Sequence, residues 1–421
     1  MSHAISSIWA ATAEPMPETP TLVGTQTADV AVIGAGITGL CAALRLAEGG
    51  ASVAVLDAEA PGFGGSGRNG GQVIPGLKYD PDELDRMFGE ATTDFVGKAA
   101  DVTFGLVEKY GIACDAKRNG WIQGTVKSSH LAALKRRQEQ WAARGAKTEM
   151  LDAAAIARIT GARGYVGGWI DGRAGTLHPL NYVVGLTKAA LKAGVGVHGK
   201  SRVTAMRKDG DRWTLETASG AKLSATHVVI GCNGYTDRLW PKLKATVVPA
   251  SSFQVATAPL PPETLKTLLP EGMSVSDSRR IANYWRIGPG GRLMLGGRGT
   301  FTDDTVPEDY RRIAVALHAF FPNLRDVPLE FRWTGRVAMT LDHLPHIHKP
   351  AGNVIVAMGY NGRGVAMASA TGTAIGAHIL DAASPLPLRV SPIRPLPIHD
   401  FHPIYASLAI EYYRLRDALE S

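Results

Sequence analysis

Cysteine is scarce in this chain. Cys41, Cys114 and Cys232 are the only three in 421 residues, share no C-x-x-C spacing and leave one over. A disulfide framework and a spaced zinc site are thereby excluded, and no metal is expected. No apolar run approaches the roughly 20 residues that a membrane-spanning helix needs. The N-terminus also lacks the basic-then-apolar order of a secretory signal, so the expected compartment is the cytoplasm. Basic residues outnumber acidic ones to give a formal charge of +7, yet Lys and Arg are scattered and form no stripe with interleaved aromatics. No nucleic-acid partner is expected; the excess suits an anionic dinucleotide and an anionic substrate. Neither a Ser-His-Asp set nor paired carboxylates stand out. What is abundant is glycine, 48 residues of it, in an otherwise ordinary composition of 45% hydrophobic and 20% charged residues. The length exceeds one ordinary core, which predicts two domains or an interleaved pair.

The glycines fall in patterns. Val30–Ile33 reads as a short buried strand, followed by Gly34, Gly36 and Gly39 in G-x-G-x-x-G and then by a helical pattern through Leu40, Ala43, Leu44 and Ala47. The first glycine permits the tight turn, the second a close approach to a pyrophosphate, the third close helix–strand packing. Asp57 follows after the next strand, where a carboxylate accepts hydrogen bonds from a ribose. A second glycine-rich loop, residues 61–72, carries six glycines with Arg68 and Asn69. Its spacing after Asp57 suits a chain folding back across the same cofactor, with bare N–H groups turned toward it.

Residues 81–144 have helical periodicity, including an amphipathic helix over Leu131–Ala143. Asp152 is placed to cap a short helix, Tyr165–Ile170 reads as a strand, and His178-Pro179-Leu180-Asn181 leads into a helix ending near Ala193. Strands follow at 195–198, 203–207, 213–217, 222–224 and 226–231. The last, ending in Gly231-Cys232-Asn233-Gly234, marks the chain's return to the dinucleotide sheet. Residues 247–337 are again strand-rich, with a helix over Pro307–Phe321. Tyr284, Trp285, Arg286, Arg298, Trp333 and Arg336 alternate along these strands, and some must face a substrate crevice. Finally Val354–Met358, Gly359-Tyr360-Asn361-Gly362-Arg363-Gly364-Val365 and a helix of small residues to Leu380 repeat the strand, glycine turn and helix. A second helix N-terminus aimed at one ligand suits a flavin, whose reduced ring carries negative charge, better than a nicotinamide. Met1–Thr27 is expected over the surface with Trp9 as its anchor; Ser384–Pro403 wraps the surface, and residues 403–419 close the chain as a helix.

Three nucleotide-site pieces at the start, middle and end of the chain resemble the FAD-dependent amine and amino-acid oxidases of the glycine oxidase, sarcosine oxidase and D-amino acid oxidase superfamily. The stretches GFGGSGRNGGQ, HPLN, RWTG, GYNGRGV and YYRLRDAL are most similar to bacterial gamma-glutamylputrescine oxidoreductases and span nearly the whole chain. The resemblance implies an α/β fold in which a glutathione-reductase-type, Rossmann-like FAD-binding domain (28–80, 150–245 and 335–385) is interleaved with an α+β substrate domain. The latter would comprise a helical part at 81–149 and a mostly antiparallel sheet at 246–334, with a C-terminal wrap and helix at 386–421. It implies noncovalent FAD, contacted by Gly34, Ala35, Gly36, Ile37, Thr38 and Gly39, and by Asp57 and Ala58. Further contacts are implied for Gly65, Ser66, Gly67, Arg68, Asn69, Gly70, Gly71 and Gln72. Val203, Gly231, Asn233 and Gly234 follow, then Gly359, Asn361, Gly362, Arg363, Gly364 and Val365. Gln72, Tyr284 and Arg363 are the candidate catalytic residues; Tyr284, Trp285, Arg336 and Asn361 are the candidates for contact with substrate.

The implied chemistry is hydride transfer from a carbon bearing an amine to flavin, giving an imine that water hydrolyses, with O2 reoxidising the flavin. The departures matter. Sarcosine oxidases hold a carboxylate with an Arg and a Lys where this chain has Gln72 and Ala366, so the reacting carbon is expected to bear no adjacent carboxylate, or a carboxylate is bound elsewhere. Their oxygen-activating Lys maps to Met294, and their flavin-tethering Cys maps near Met339 or Thr340. A dehydrogenase of a cyclic imino acid or amine, passing electrons to a quinone or protein, therefore stays open, as does a non-enzymatic flavin sensor. The amine and the oligomeric state stay open too.

Overall fold

The structure is a computed structural model describing residues 7–299, 301 and 307–419. Its first sheet is built on parallel strands in the order Val354–Met358, Lys222–Ile230, Thr25–Ile33, Val53–Leu56 and Gly196–His198. Strand Thr25–Ile33 is polar where it begins and buried throughout from Val30 to Ile33. Val30 and Val32 are hidden by the helix Ile37–Glu48, and Ala31 and Ile33 on the other face by Val203, Trp213, Leu215 and Leu243, so both faces are covered as parallel strands require. His346–Ala351 adds an antiparallel edge, and Val203–Asp209 with Arg212–Thr217 forms a meander on Lys222–Ile230. The return of the chain at 222–231 and again at 354–358 thus places segments from the start, middle and end side by side.

The second sheet runs Leu329–Met339, Val248–Thr257, Arg292–Arg298, Tyr284–Gly288, Ser274–Asp277, Trp121–Thr125, Gly167–Asp171 and Thr148–Asp152. Among its pairings only Ser274–Asp277 with Trp121–Thr125 is parallel. One face carries Phe253, Val255, Trp285, Leu293 and Leu295 into a core with Ile313, Leu317 and Phe320 of the helix Arg311–Phe320. The opposite face turns toward the first sheet.

Several boundaries differ from the sequence expectation. Residues 81–149 are not simply helical, because Trp121–Thr125 and Thr148–Asp152 are strands of the second sheet. Residues 150–152 and 167–171, assigned above to the FAD-binding part, pair there as well, and Leu329–Met339 carries that sheet past 335. These strands are short and their partners distant in sequence, so local pattern does not assign them. The N-terminal segment also does more than lie on the surface. Ile8–Thr12 is a helix with Ser7 as its side-chain cap, and Ile8 and Trp9 are wholly buried. Beyond the Pro-rich wrap, His402–Leu419 is a helix whose Asp417 carboxylate receives Arg280 at 3.1 Å.

Candidate active site

A continuous cavity of about 670 Å³ runs along the carboxyl ends of the parallel strands and under the second sheet. That is where an open α/β sheet binds its ligand. Ile33, Leu56 and Ile230, the last residues of three adjacent parallel strands, all line it.

The glycine turn after Ile33 is dictated by contact. Gly34 has φ +103°, and a Cβ on Gly39 would stand 2.0 Å from the Gly34 carbonyl oxygen. The Ala35 N–H is donated to Asp57 Oδ2 at 2.7 Å, and Asp57 Oδ1 accepts the Glu59 N–H at 2.9 Å. Asp57 therefore braces the turn while it lines the cavity. Burial pushes its carboxyl above the ordinary value, opposed by those two bonds.

Two helix N-termini reach this cavity, Ile37–Glu48 and Gly364–Leu380. They pack directly: a Cβ on Gly372 would lie 2.3 Å from the Thr38 carbonyl oxygen, and one on Gly376 2.9 Å from that of Ala42. The order of these contacts makes the helices run in the same direction. Thr38 is the second residue of its helix and Gly372 the ninth of the other, so the later helix projects about 10 Å further at 1.5 Å per residue. One positive helix end can thus serve a pyrophosphate and the other a ring system beyond it.

The loop between Gly62 and Gln72 is pinned from behind by its own carbonyls. Arg68 O accepts Gln254 Nε2 at 2.7 Å and Trp333 Nε1 at 3.0 Å; Asn69 O accepts Trp9 Nε1 at 2.8 Å. Gly71 O accepts Arg286 Nη1 at 2.9 Å, and the same nitrogen reaches Leu177 O at 2.8 Å. All four donors come from outside the loop, three of them from the second sheet. Ser66 faces the first glycine turn, its Oγ accepting the Ile37 N–H at 3.1 Å, and a Cβ on Gly36 would sit 2.8 Å from that oxygen. A Cβ on Gly364 would meet nothing closer than 3.9 Å. Bare backbone borders the cavity at both helix ends, a cradle that fits the phosphates and flat ring of FAD.

The cavity brings together most of the residues expected at a cofactor: Gly34, Gly36, Ile37, Thr38, Asp57 and Ala58; Gly65, Ser66, Arg68, Asn69, Gly70 and Gln72; Val203, Gly231 and Asn233; and 361–365. Six others shape it from behind without lining it. Ala35 donates to Asp57, Gly39 packs on Gly34, Gly67 lies against Gly62 O, Gly71 holds Arg286, Gly234 abuts Arg336 and Gly359 donates to Asn233 Oδ1 at 2.9 Å.

At the far end the second sheet supplies the wall. Tyr284 lines the cavity, its hydroxyl 2.8 Å from Ser252 Oγ, and burial pushes the phenol up to about 12. Gly70 lies on the Tyr284 ring, where a Cβ would come within 2.8 Å. Trp285 does not belong to this wall: adjacent strand residues point to opposite faces, and its ring is in the core, edge-on to Phe321, with Nε1 donating to Tyr165 OH at 3.3 Å. Gln72 lines the cavity, but its side chain is engaged, donating to Val275 O at 3.2 Å and accepting from Ser276 Oγ at 3.2 Å.

Asn361, expected to touch substrate, is a brace. Its φ is +51°, its Oδ1 accepts the Thr340 N–H at 2.9 Å and its Nδ2 donates to Gly359 O at 2.5 Å. Arg336 lies over the Tyr235 ring at 5.2 Å, beside Gly65 and Gly234, which puts it by the cofactor loop. Arg363 donates to Pro75 O at 3.1 Å and stacks on Trp121 at 4.8 Å, and burial brings its guanidinium down to about 9. His178 is structural: it caps the helix Pro179–Lys192 by accepting the Asn181 N–H at 3.1 Å. Sequence reasoning missed Lys78, Trp121 and Tyr235 in this lining; none of them sits in a motif.

Among the described residues there is no group of His, Cys, Asp and Glu that could hold a metal, and no helix is long and apolar enough to cross a membrane. A dinucleotide cradle with two helix ends, roofed by a second sheet, defines a flavoprotein oxidoreductase. The chain belongs to the FAD dependent oxidoreductase (DAO) family, whose match covers residues 29–377. The gamma-glutamylputrescine oxidoreductase of Escherichia coli (strain K12) is 32% identical over 432 residues, covering 100% of both chains. Glycine oxidase from Geobacillus kaustophilus shares the fold with a TM-score of 0.73 at 20% identity, over 85% of this chain and 95% of that one. L-proline dehydrogenase from P. horikoshii does so with a TM-score of 0.72 at 19% identity, over 87% and 96%. The protein is thus an FAD-dependent oxidoreductase.

Proposed function

We propose that this chain oxidises the C–N bond of a small amine, of the kind represented by gamma-glutamylated polyamines, to an imine that water hydrolyses. Bound FAD supplies the hydride acceptor. The carrying observation is the second-sheet wall of the cavity, where Tyr284 and Ser252 place neutral hydroxyls in a space that Gly362 and Gly364 also line. A phenol raised to about 12 stays protonated at neutral pH. It can hydrogen-bond a neutral amine nitrogen, the form that can give up hydride, without opposing it with charge. Full-length similarity to the Escherichia coli enzyme supports the same substrate class. Binding without a covalent tether follows from Met339 and Thr340 standing where a thiol would be needed.

Oxygen is the proposed electron acceptor. The alternative, transfer to a quinone or protein, is favoured by Met294: it is buried with Trp9 and Trp333 and brings no cation to the cavity. The test is anaerobic mixing of the FAD-loaded enzyme with an amine panel, followed by admission of air. Bleaching by an amine and rapid return of the flavin colour is the expected result. Failure of every amine to bleach would remove the reading; bleaching with slow return would replace oxidase by dehydrogenase.

A further inference from the structure

We propose that Lys78 and Arg298 form a binding site for a carboxylate that the substrate carries away from its reacting amine. The inference rests on the amine-oxidising reading and names the substrate class within it: a linear amine ending in a carboxylate, or an acylated amine whose acyl part bears one.

Both side chains line the cavity at the second-sheet end. Arg298 closes the strand Arg292–Arg298, directly across from Ser252, and Gly296, two residues before it, is opposite Tyr284. Arg298 therefore shares a sheet face with the Tyr284–Ser252 pair. Lys78 comes from the segment beyond Gln72–Val73 and enters the same space.

Neither cation has an oxygen partner among the described residues. The ammonium of Lys78 makes no hydrogen bond, and the guanidinium of Arg298 reaches only the Met339 sulfur, at 3.8 Å. Four other arginines around the cavity and the second sheet are matched, Arg279 by Asp277, Arg292 by Glu330, Arg280 by Asp417 and Arg363 by the Pro75 carbonyl, while Arg68 lies over the Phe63 ring by the cofactor loop. Arg298 is half-buried with no oxygen partner to offset its lost hydration, and Lys78, open to solvent, lines the same cavity, so two uncompensated cations face whatever binds there. The cost is visible in their titration. Partial desolvation, then repulsion from Arg363, Arg298 and Arg137, lowers the Lys78 amine, and burial lowers Arg298. A bound carboxylate relieves both effects. The cofactor's phosphates do not supply this anion, because their cradle is at Gly34–Ile37 and Ser66, by the other helix end. By the resemblance to sarcosine oxidases, a carboxylate on the reacting carbon would instead fall toward Gln72 and Ala366, which are neutral, and Ala366 is fully buried.

The experiment uses the FAD-loaded enzyme, its Lys78→Met and Arg298→Gln variants, and the conservative Arg298→Lys. Two readouts are compared: the reductive half-reaction with 5-aminopentanoate and with pentylamine, and the dissociation constant of pentanoate from its perturbation of the flavin spectrum. The wild type should prefer the anionic amine at least tenfold in kcat/KM. Each variant should raise KM for that substrate and weaken pentanoate at least tenfold, with pentylamine turnover and the flavin spectrum unchanged, and Arg298→Lys should restore part of the loss. Equal losses on both amines, or pentanoate binding indifferent to both substitutions, would overturn the site. Should neither amine bleach the flavin while pentanoate binding still depends on Lys78 and Arg298, the amine reading fails and the anion site stands.

Discussion

Arg286 reaches from the second sheet to place its guanidinium nitrogen 2.9 Å from the Gly71 carbonyl oxygen, at the end of the loop that cradles the cofactor. It has no carboxylate among its hydrogen-bond partners. Its acceptors are main-chain oxygens of Gly71, Leu177 and Ile287, and burial brings it down to about 10. The cation thus reads the position of two backbone segments at once. Arg286→Met should loosen the loop and raise the FAD dissociation constant about tenfold, the equivalent of one charged hydrogen bond of roughly 1.5 kcal/mol. Flavin fluorescence titration of the apoprotein measures it; unchanged affinity would make Arg286 a mere filler.

Trp9 should prove indispensable although it precedes the first strand. It is edge-on to His178 and Trp333, at 4.8 and 6.3 Å between rings, and donates to Asn69 O. Trp9→Ala should cost about 3–5 kcal/mol in a calorimetric or denaturant measurement. Trp9→Phe keeps much of the packing and loses the N–H, so it should spare most of the stability while FAD release quickens.

Gly372→Ala should be far more damaging than Gly105→Ala. The added methyl at 372 meets the Thr38 carbonyl at 2.3 Å, whereas at 105, inside the helix Ala99–Tyr110, it meets nothing within 4 Å. The first forces two helices apart, at roughly 1–3 kcal/mol, and displaces one N-terminus from the cofactor. The second should stabilise by up to about 1 kcal/mol. Melting temperatures of the two FAD-loaded variants, compared with wild type, decide the matter.

His178 ties stability to acid. Burial holds its imidazole down to about 4, against 6.5 ordinarily. The unfolded chain takes up that proton at higher pH than the folded one. The stability contributed by the neutral ring is therefore complete above about 6.5 and is lost as pH falls toward about 4. His178→Asn keeps a cap and cannot protonate, so its melting temperature should fall less between about pH 7 and 5. Parallel acid slopes for the two proteins would show that the proton goes elsewhere.

Legibility in the sequence followed the type of constraint. Gly34, Gly39 and Gly372 answer to close backbone contacts or a positive φ, which no other residue tolerates cheaply, and the first two could be read from their spacing. The return of the chain at 226–231 was legible because its buried end, Val228–Ile230, is wholly apolar, whereas the partly polar start of the strand at 222–225 made it read as two pieces. The phase of the second sheet was not. Tyr284 and Trp285 are both large and aromatic and sit between the polar Asn283 and Arg286, and alternation says that they diverge without saying which one meets the cavity. Strand Trp121–Thr125 escaped because its neighbours in the sheet come from 167–171 and 274–277. Lys78 escaped because a cation in a coil carries no pattern; only the cavity that it lines gives it meaning.

The polypeptide leaves one sheet for the other after Leu56, Asp171, Ile230 and Met339. No contiguous stretch therefore holds either half of the molecule, and a nick or truncation between those points strands pieces of both. Melting should accordingly be a single event seen alike by flavin release and by loss of tryptophan burial, and gene fragments encoding one half should yield no stable product.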